Sequence, residues 1–168
     1  DLWLENEAKR DEPYRILALC QTTEGYENLS KLLSKAYLEN QYRDRVEIKK
    51  SWLLNEFNKD LIILSGATSG DIGQLILQQK IEQAEESLNQ WKNSFGDRFY
   101  IELQRNGDGE FRARQEQYIK QVLHFAVDNR IPVVATHPIQ FMKEDDFRAH
   151  ESKSCIAEGF VLGDRRRP

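Results

Sequence analysis

LIILSGATSGDIGQLIL, residues 61–77, decides the reading of this chain. Leu61, Ile62, Ile63 and Leu64 form a short unbroken apolar run, the pattern of a strand covered on both faces. Three glycines and two serines follow, and then a second apolar segment begins. That succession predicts strand, tight turn, helix. Working outward, three further runs have the same character: residues 14–20, 99–104 and 131–136, the last containing PVVAT. Between them lie stripes at helical spacing. Tyr26, Leu29, Leu33 and Ala36 make one, with Leu32 beside it. Ile81, Ala84, Leu88, Trp91 and Phe95 make another. Tyr118, Val122 and Ala126, flanked by Ile119 and Leu123, make a third. Strands alternating with helices predict an α/β fold with a mostly parallel sheet or barrel. Ser69 and Asp145 are expected helix N-caps and Gly159 a C-terminal stop. Residues 1–13 read differently: DLWLEN is strand-like, and AKRDEP is a charged turn leading into the first core strand.

With 168 residues, the chain has the length of one ordinary domain. Charged residues make up 31%, with both signs interspersed, which reads as a soluble, intracellular, cytoplasmic protein. A net charge of -4 gives no reason to expect binding to bare nucleic acid. The basic cluster Arg165, Arg166 and Arg167 reads as a solvated linker. Cys20 and Cys155 form no spaced motif and are expected to be reduced and partly buried. No apolar run is long enough for a membrane span, and the start carries no signal-peptide pattern. The chain begins at Asp1 and its one methionine is Met142, so a piece of a longer protein is expected.

In parallel α/β architectures chemistry gathers at the C-terminal strand ends. Residues 21–25, 66–73, 105–110 and 137–142 are therefore the loops to inspect. SGATSGDIG matches neither phosphate-loop nor dinucleotide spacing and contains no lysine, so it reads as a tight turn. Of the three histidines, His124 and His150 fall in helical patterns and only His137 ends a strand. His137 with Glu102 or Asp71 would make a poor transition-metal site. Ser65, Ser69 and Cys20 have no activating partner that the sequence can place beside them. An alternative is an α/β module that binds a small anion at the turn 66–73.

The blocks RILALCQTTEGYENLSKLLSKAY, LIILSGATSGDIGQLIL, FGDRFYIELQRNG, IPVVATHPIQF and DDFRAHESKSCIAEGFVLGDRRRP resemble, in order, the PHP (polymerase and histidinol phosphatase) domain of bacterial DNA polymerase III alpha subunits. The resemblance runs from about Tyr14 onward and is loose over residues 1–13. Residues 164–168 resemble the exit toward the polymerase part. It implies a distorted (β/α)7 barrel, incomplete here because the opening segment with its His-x-His pair is absent. Metal-bearing members hold ions at the strand ends and hydrolyse phosphoesters. Carried over position by position, Arg15 stands at one histidine position. Asn106 stands at another, beside retained Glu102 and Gln104. In the last ligand block His137 replaces an asparagine, Pro138 an aspartate and Gln140 a histidine. The resemblance thus implies vestigial metal positions at Arg15, Asn106, Pro138 and Gln140, with no catalytic or metal-binding residue in this segment. Arginine cannot lose its charge, and proline offers no side-chain ligand. A remnant pocket knit by hydrogen bonds among Arg15, Glu102, Asn106 and Gln140 is the expected replacement. The role implied is that of a structural scaffold and a docking site for the proofreading exonuclease subunit. The parent polymerase would use Mg2+ held elsewhere and would be the part that meets DNA. The alternative is phosphoesterase or exonuclease activity retained through unusual metal ligands. Lacking its first strand, the barrel is expected to expose sheet edges and to lose stability.

Overall fold

The computed structural model describes residues 1–106 and 109–164. The basic cluster 165–167 and the last four residues of the expected exit segment lie outside the described residues. The chain divides into two compact units, residues 1–136 and 137–168.

The first unit is built on a five-stranded sheet. Its strands are β1 (Leu2–Leu4), β2 (Tyr14–Cys20), β5 (Leu61–Leu64), β6 (Phe99–Gln104) and β7 (Val133–Thr136), adjacent in that order. A small hairpin, β3 (Gln41–Tyr42) with β4 (Arg45–Val46), stands apart from it. The helices are α1 (Thr23–Glu39), α2 (Lys50–Asn55), α3 (Asp71–Leu77), α4 (Ile81–Phe95) and α5 (Gly109–Asp128). The α/β reading and the four apolar runs therefore stand. Strand direction differs from expectation. β5, β6 and β7 are parallel, but β2 runs antiparallel to both β1 and β5. The sheet is thus mixed rather than mostly parallel, and no closed barrel is seen among the described residues. An apolar run reads the same in sequence whichever way its strand points, so the direction of β2 left no local signal.

Core packing follows the helical stripes. Ala84, Leu88, Trp91 and Phe95 of α4 are buried, and Trp91 stacks on Phe99 of β6 at 5.4 Å between ring centroids, with planes 11° apart. Tyr118, Val122 and Ala126 of α5 are buried as expected. Three stripe members are exposed: Tyr26 at 65%, and Ile81 and Leu123. In α1 the buried positions are Gly25, Leu32 and Ala36, so the covered face lies one residue round from the stripe. β7 also departs from its apolar appearance, since Val133 and Ala135 are exposed on an edge strand.

In the first thirteen residues β1 (Leu2–Leu4) is followed by a charged turn, and ion pairs hold the segment. Arg10 bridges Glu5 and the fully buried Glu47, reaching Glu47 Oε2 at 3.3 Å, while Arg45 meets Glu47 Oε1 at 3.2 Å. The outer edge of β1 is partly covered. Ile48 N donates to Trp3 O at 2.8 Å and Glu5 N donates to Ile48 O at 2.9 Å.

The second unit carries α6 (Phe147–Glu158), closed by Gly159 at φ 73° as its sequence position suggests. The two expected N-caps are corrected. Ser69 ends a short 3-10 turn and Gly70 precedes α3. Asp146, not Asp145, precedes α6, and its carboxylate accepts instead from Lys143 N at 3.1 Å. Cys20 is exposed rather than partly buried, while Cys155 is buried. No helix among the described residues is long and apolar enough to cross a membrane.

Candidate functional site at the strand ends

Parallel β5, β6 and β7 bring their C-terminal ends together, and antiparallel β2 contributes its first residues to the same end. The turn after β5 makes this junction. Gly66 has φ 77°, and a Cβ there would stand 1.7 Å from the carbonyl oxygen of Arg15. Only glycine fits that left-handed, tightly abutted position. With the turn so placed, the Gly66 amide points at β6.

What it meets is Glu102, only 4% exposed. Glu102 Oε2 accepts from Gly66 N at 3.1 Å. Glu102 Oε1 accepts from Gln104 Nε2 at 3.0 Å and from the hydroxyl of Thr136. Gln104 Nε2 also reaches Thr136 Oγ1 at 3.2 Å. The backbone of Glu102 is held as well: its N donates to Ser65 Oγ at 2.9 Å, and its carbonyl accepts from Tyr118 OH at 3.1 Å. Burial pushes the Tyr118 phenol far up and the charge of Glu102 adds to this, against a smaller opposing hydrogen bond with Ser65. Tyr118 is therefore a permanent neutral donor here. The arrangement satisfies a buried carboxylate with neutral donors on every side.

The other expected pocket members go elsewhere. Arg15 is at the right end of the sheet, but its guanidinium pairs with Asp1 and lies 5.1 Å from the Trp3 ring centroid. Asn106 is tied to α5: its N donates to Gln115 Oε1 at 2.8 Å, and Gln115 Nε2 donates to its side-chain oxygen at 2.6 Å. Among these residues, then, the expected network linking Arg15, Glu102 and Asn106 is not what holds the strand ends. His137, Pro138 and Gln140 lie in the second unit and are exposed. There, Ile139 N donates to His137 O at 2.8 Å and Gln140 Nε2 contacts Pro138 O at 3.5 Å. His124 is exposed on α5, and His150 packs against Phe141 at 5.6 Å.

The donor set does not fit the metal cluster that the resemblance implies. Glu102 is the one carboxylate among the retained strand-end residues, and both its oxygens are already engaged. Among the described residues no group of three or more His, Cys, Asp or Glu side chains is placed to hold a metal ion.

A second buried carboxylate emerges only from the tertiary structure. Asp71 Oδ2 accepts from Lys50 Nζ at 2.8 Å, Ser87 Oγ at 2.7 Å and Trp91 Nε1 at 3.0 Å. Burial pushes this carboxyl up. The charge and hydrogen bond of Lys50, with the bonds from Ser87 and Trp91, outweigh burial and hold it below the usual range. Sequence reasoning missed Lys50 and Ser87 here, and Thr136 and Gln115 around the strand ends. Thr136 alone left a signal, as the polar residue closing an apolar strand.

Residues 1–106 match the PHP domain family. Over its whole length the chain is 38% identical to a DNA polymerase III subunit alpha of Vibrio cholerae and 35% identical to one of Pseudomonas aeruginosa, in each case covering 14% of the relative. It is 35% identical to the Escherichia coli protein of that name over 94% of this chain and 13% of the relative. The chain thus spans about a seventh of the length of the curated relatives it matches.

Proposed function

The chain belongs to the PHP domain family, and from that premise we propose that it is the PHP segment of a replicative DNA polymerase III alpha subunit, serving as scaffold and docking module rather than as a metal phosphoesterase. On this reading the mixed sheet is an arc of the family's distorted barrel. The segment packs against the polymerase body and offers a seat to the proofreading exonuclease subunit. Nucleotide transfer, its Mg2+ and the contacts to duplex DNA belong to the rest of the parent protein, in the cytoplasm. Similarity along the whole chain to polymerase subunits from several bacteria supports the assignment.

One observation carries the loss of hydrolysis: both oxygens of the Glu102 carboxylate are engaged, by Gly66, Gln104 and Thr136. A metal-activated water needs ligands with free lone pairs converging on one point. Here hydrogen bonds engage both oxygens of Glu102, and the resemblance assigns Arg15 and Pro138 to positions where metal-bearing members carry ligands. The strand ends are stable without an ion.

The test uses the full-length alpha subunit. Elemental analysis after extensive dialysis, a chromogenic phosphate-ester assay with added manganese, and co-purification with the exonuclease subunit are run on one preparation. The reading expects no stoichiometric zinc or manganese beyond what the polymerase part holds, no turnover, and a stable complex. Turnover that disappears in His137→Ala would restore the phosphoesterase. A folded, polymerising subunit that fails to retain the exonuclease would end the docking role.

A further inference from the structure

The first unit has a groove at the strand-end side, between the charged turn after β1 and the segment running from α3 into α4. Its volume is about 530 Å³, within the roughly 300–1,000 Å³ usual for ligand sites. Its lining is unlike the rest of this acidic chain. Four cations line it, Lys9, Arg15, Lys80 and Arg114, against one carboxylate, Glu12. The remaining polar walls are mostly amide and hydroxyl groups, such as Gln74, Gln78 and Ser69. A net charge of -4 for the whole chain therefore conceals a local excess of positive charge.

Two of the four cations have partners: Lys9 pairs with Glu12 at 3.1 Å, and Arg15 pairs with Asp1. Both pairs are largely in water, with side-chain exposures of 64% and 69% for the first and 46% and 59% for the second. Exposed pairs of this kind are weak and exchange readily for a better anion. Lys80 and Arg114 are exposed and unpaired among the described residues. Guanidinium forks suit phosphate oxygens, and ammonium groups supply point charge. Trp3, on the groove wall, is already covered by Arg15 at 5.1 Å and approached by Arg45 at 5.9 Å. The cations direct recognition to phosphate.

From this we infer that the groove is a metal-independent binding site for phosphate groups, which it holds without cleaving. The phosphates come either from the backbone of single-stranded DNA or from free di- and triphosphates. The inference does not depend on exonuclease docking, and a failed docking test would leave it standing.

The experiment uses the 168-residue chain with two probes: a fluorescein-labelled oligothymidylate of about a dozen nucleotides, within the site sizes of single-strand binders, and inorganic pyrophosphate. Anisotropy and calorimetry are read at about 50 mM and about 200 mM salt. Two to four phosphate contacts on a single strand predict a slope of about -1.4 to -2.8 in log affinity against log salt. The double variant Lys80→Glu with Arg114→Glu should bind about tenfold more weakly. Both side chains are exposed, so its thermal melt should match the parent's and separate lost binding from lost fold. The control Lys31→Glu with Lys59→Glu, exposed outside the groove, should change little. Binding of the oligonucleotide alone assigns the site to a strand, and binding of both probes assigns it to phosphate from either source. Failure of both probes to bind at millimolar concentration, or equal weakening in the control, overturns the inference.

Discussion

Glu102 and Asp71 are both buried carboxylates in the first unit, 4% and 5% exposed, and the molecule treats them differently. Glu102 sits at the strand ends, where the family's chemistry would be, and is held by an amide N–H, a side-chain amide and a hydroxyl. Asp71 sits at the start of α3 and is held by a cation, with Ser87 and Trp91 completing its Oδ2 while Oδ1 has no hydrogen-bond partner among the described residues. The first has both oxygens engaged, Oε1 by two donors and Oε2 by one. The second keeps a spare oxygen, but Lys50 already balances its charge. Burial of an acid therefore does not make a metal site; what matters is whether its lone pairs and its charge are still available. Here neither acid has both.

The comparison can be broken most severely at Asp71. Asp71→Ala leaves Lys50 partly buried without its partner, and urea denaturation should show a loss of about 3 kcal/mol, the lower end for breaking a buried pair. A matching pH signature is expected. The Asp71 carboxyl is held below its ordinary value, so its contribution is fully present above about pH 4 and is lost as pH falls through the lower folded value. Stability of the unmodified chain should therefore drop with acid below that point, and Asp71→Asn should flatten that part of the curve. An unchanged acid limb in the variant would mean that Asp71 does not set it.

A smaller effect is expected at Glu102. Glu102→Gln keeps the shape but turns one acceptor into a donor facing Gly66 N–H or Thr136, and should cost about 1–2 kcal/mol. No buried cation is left behind, so the loss should be smaller than for Asp71→Ala. If Glu102→Gln instead raised stability, the carboxylate would be a residue kept for binding and not for the fold. The smallest expected effect is that of Thr136→Val, about 1 kcal/mol for one lost hydroxyl donor, read in the same denaturation series.

Much of the architecture could be read from the residues because it depends on local pattern. The runs 14–20 and 99–104 coincide with β2 and β6, and Gly159 closes α6. The turn after Leu64 was legible as a turn because Gly66 and Gly70 tolerate what other residues cannot. The hydrogen-bond partners were not legible. Lys50 and Asp71 are 21 positions apart, and Glu102 and Thr136 are 34 apart. Arg15 and Asn106 share a family pattern with Glu102, but such a pattern marks positions and not hydrogen-bond partners. Their side chains have nearer partners, Asp1 and Gln115, which no motif marks. Tyr26 was assigned to the core for a similar reason: a stripe records spacing, while the face that is covered depends on what α1 lies against.

By itself the sequence determined that apolar runs and helical stripes alternate and that glycine makes the turn after β5. These are properties of single residues and near neighbours, fixed by sterics and side-chain chemistry. Only the tertiary structure decided that β2 runs against β5, that Glu102 spends its lone pairs on Gly66, Gln104 and Thr136, and that cations gather in one groove of an acidic chain. Those outcomes require segments far apart in sequence to meet, and a charge or a lone pair has no function until its neighbour in space is fixed.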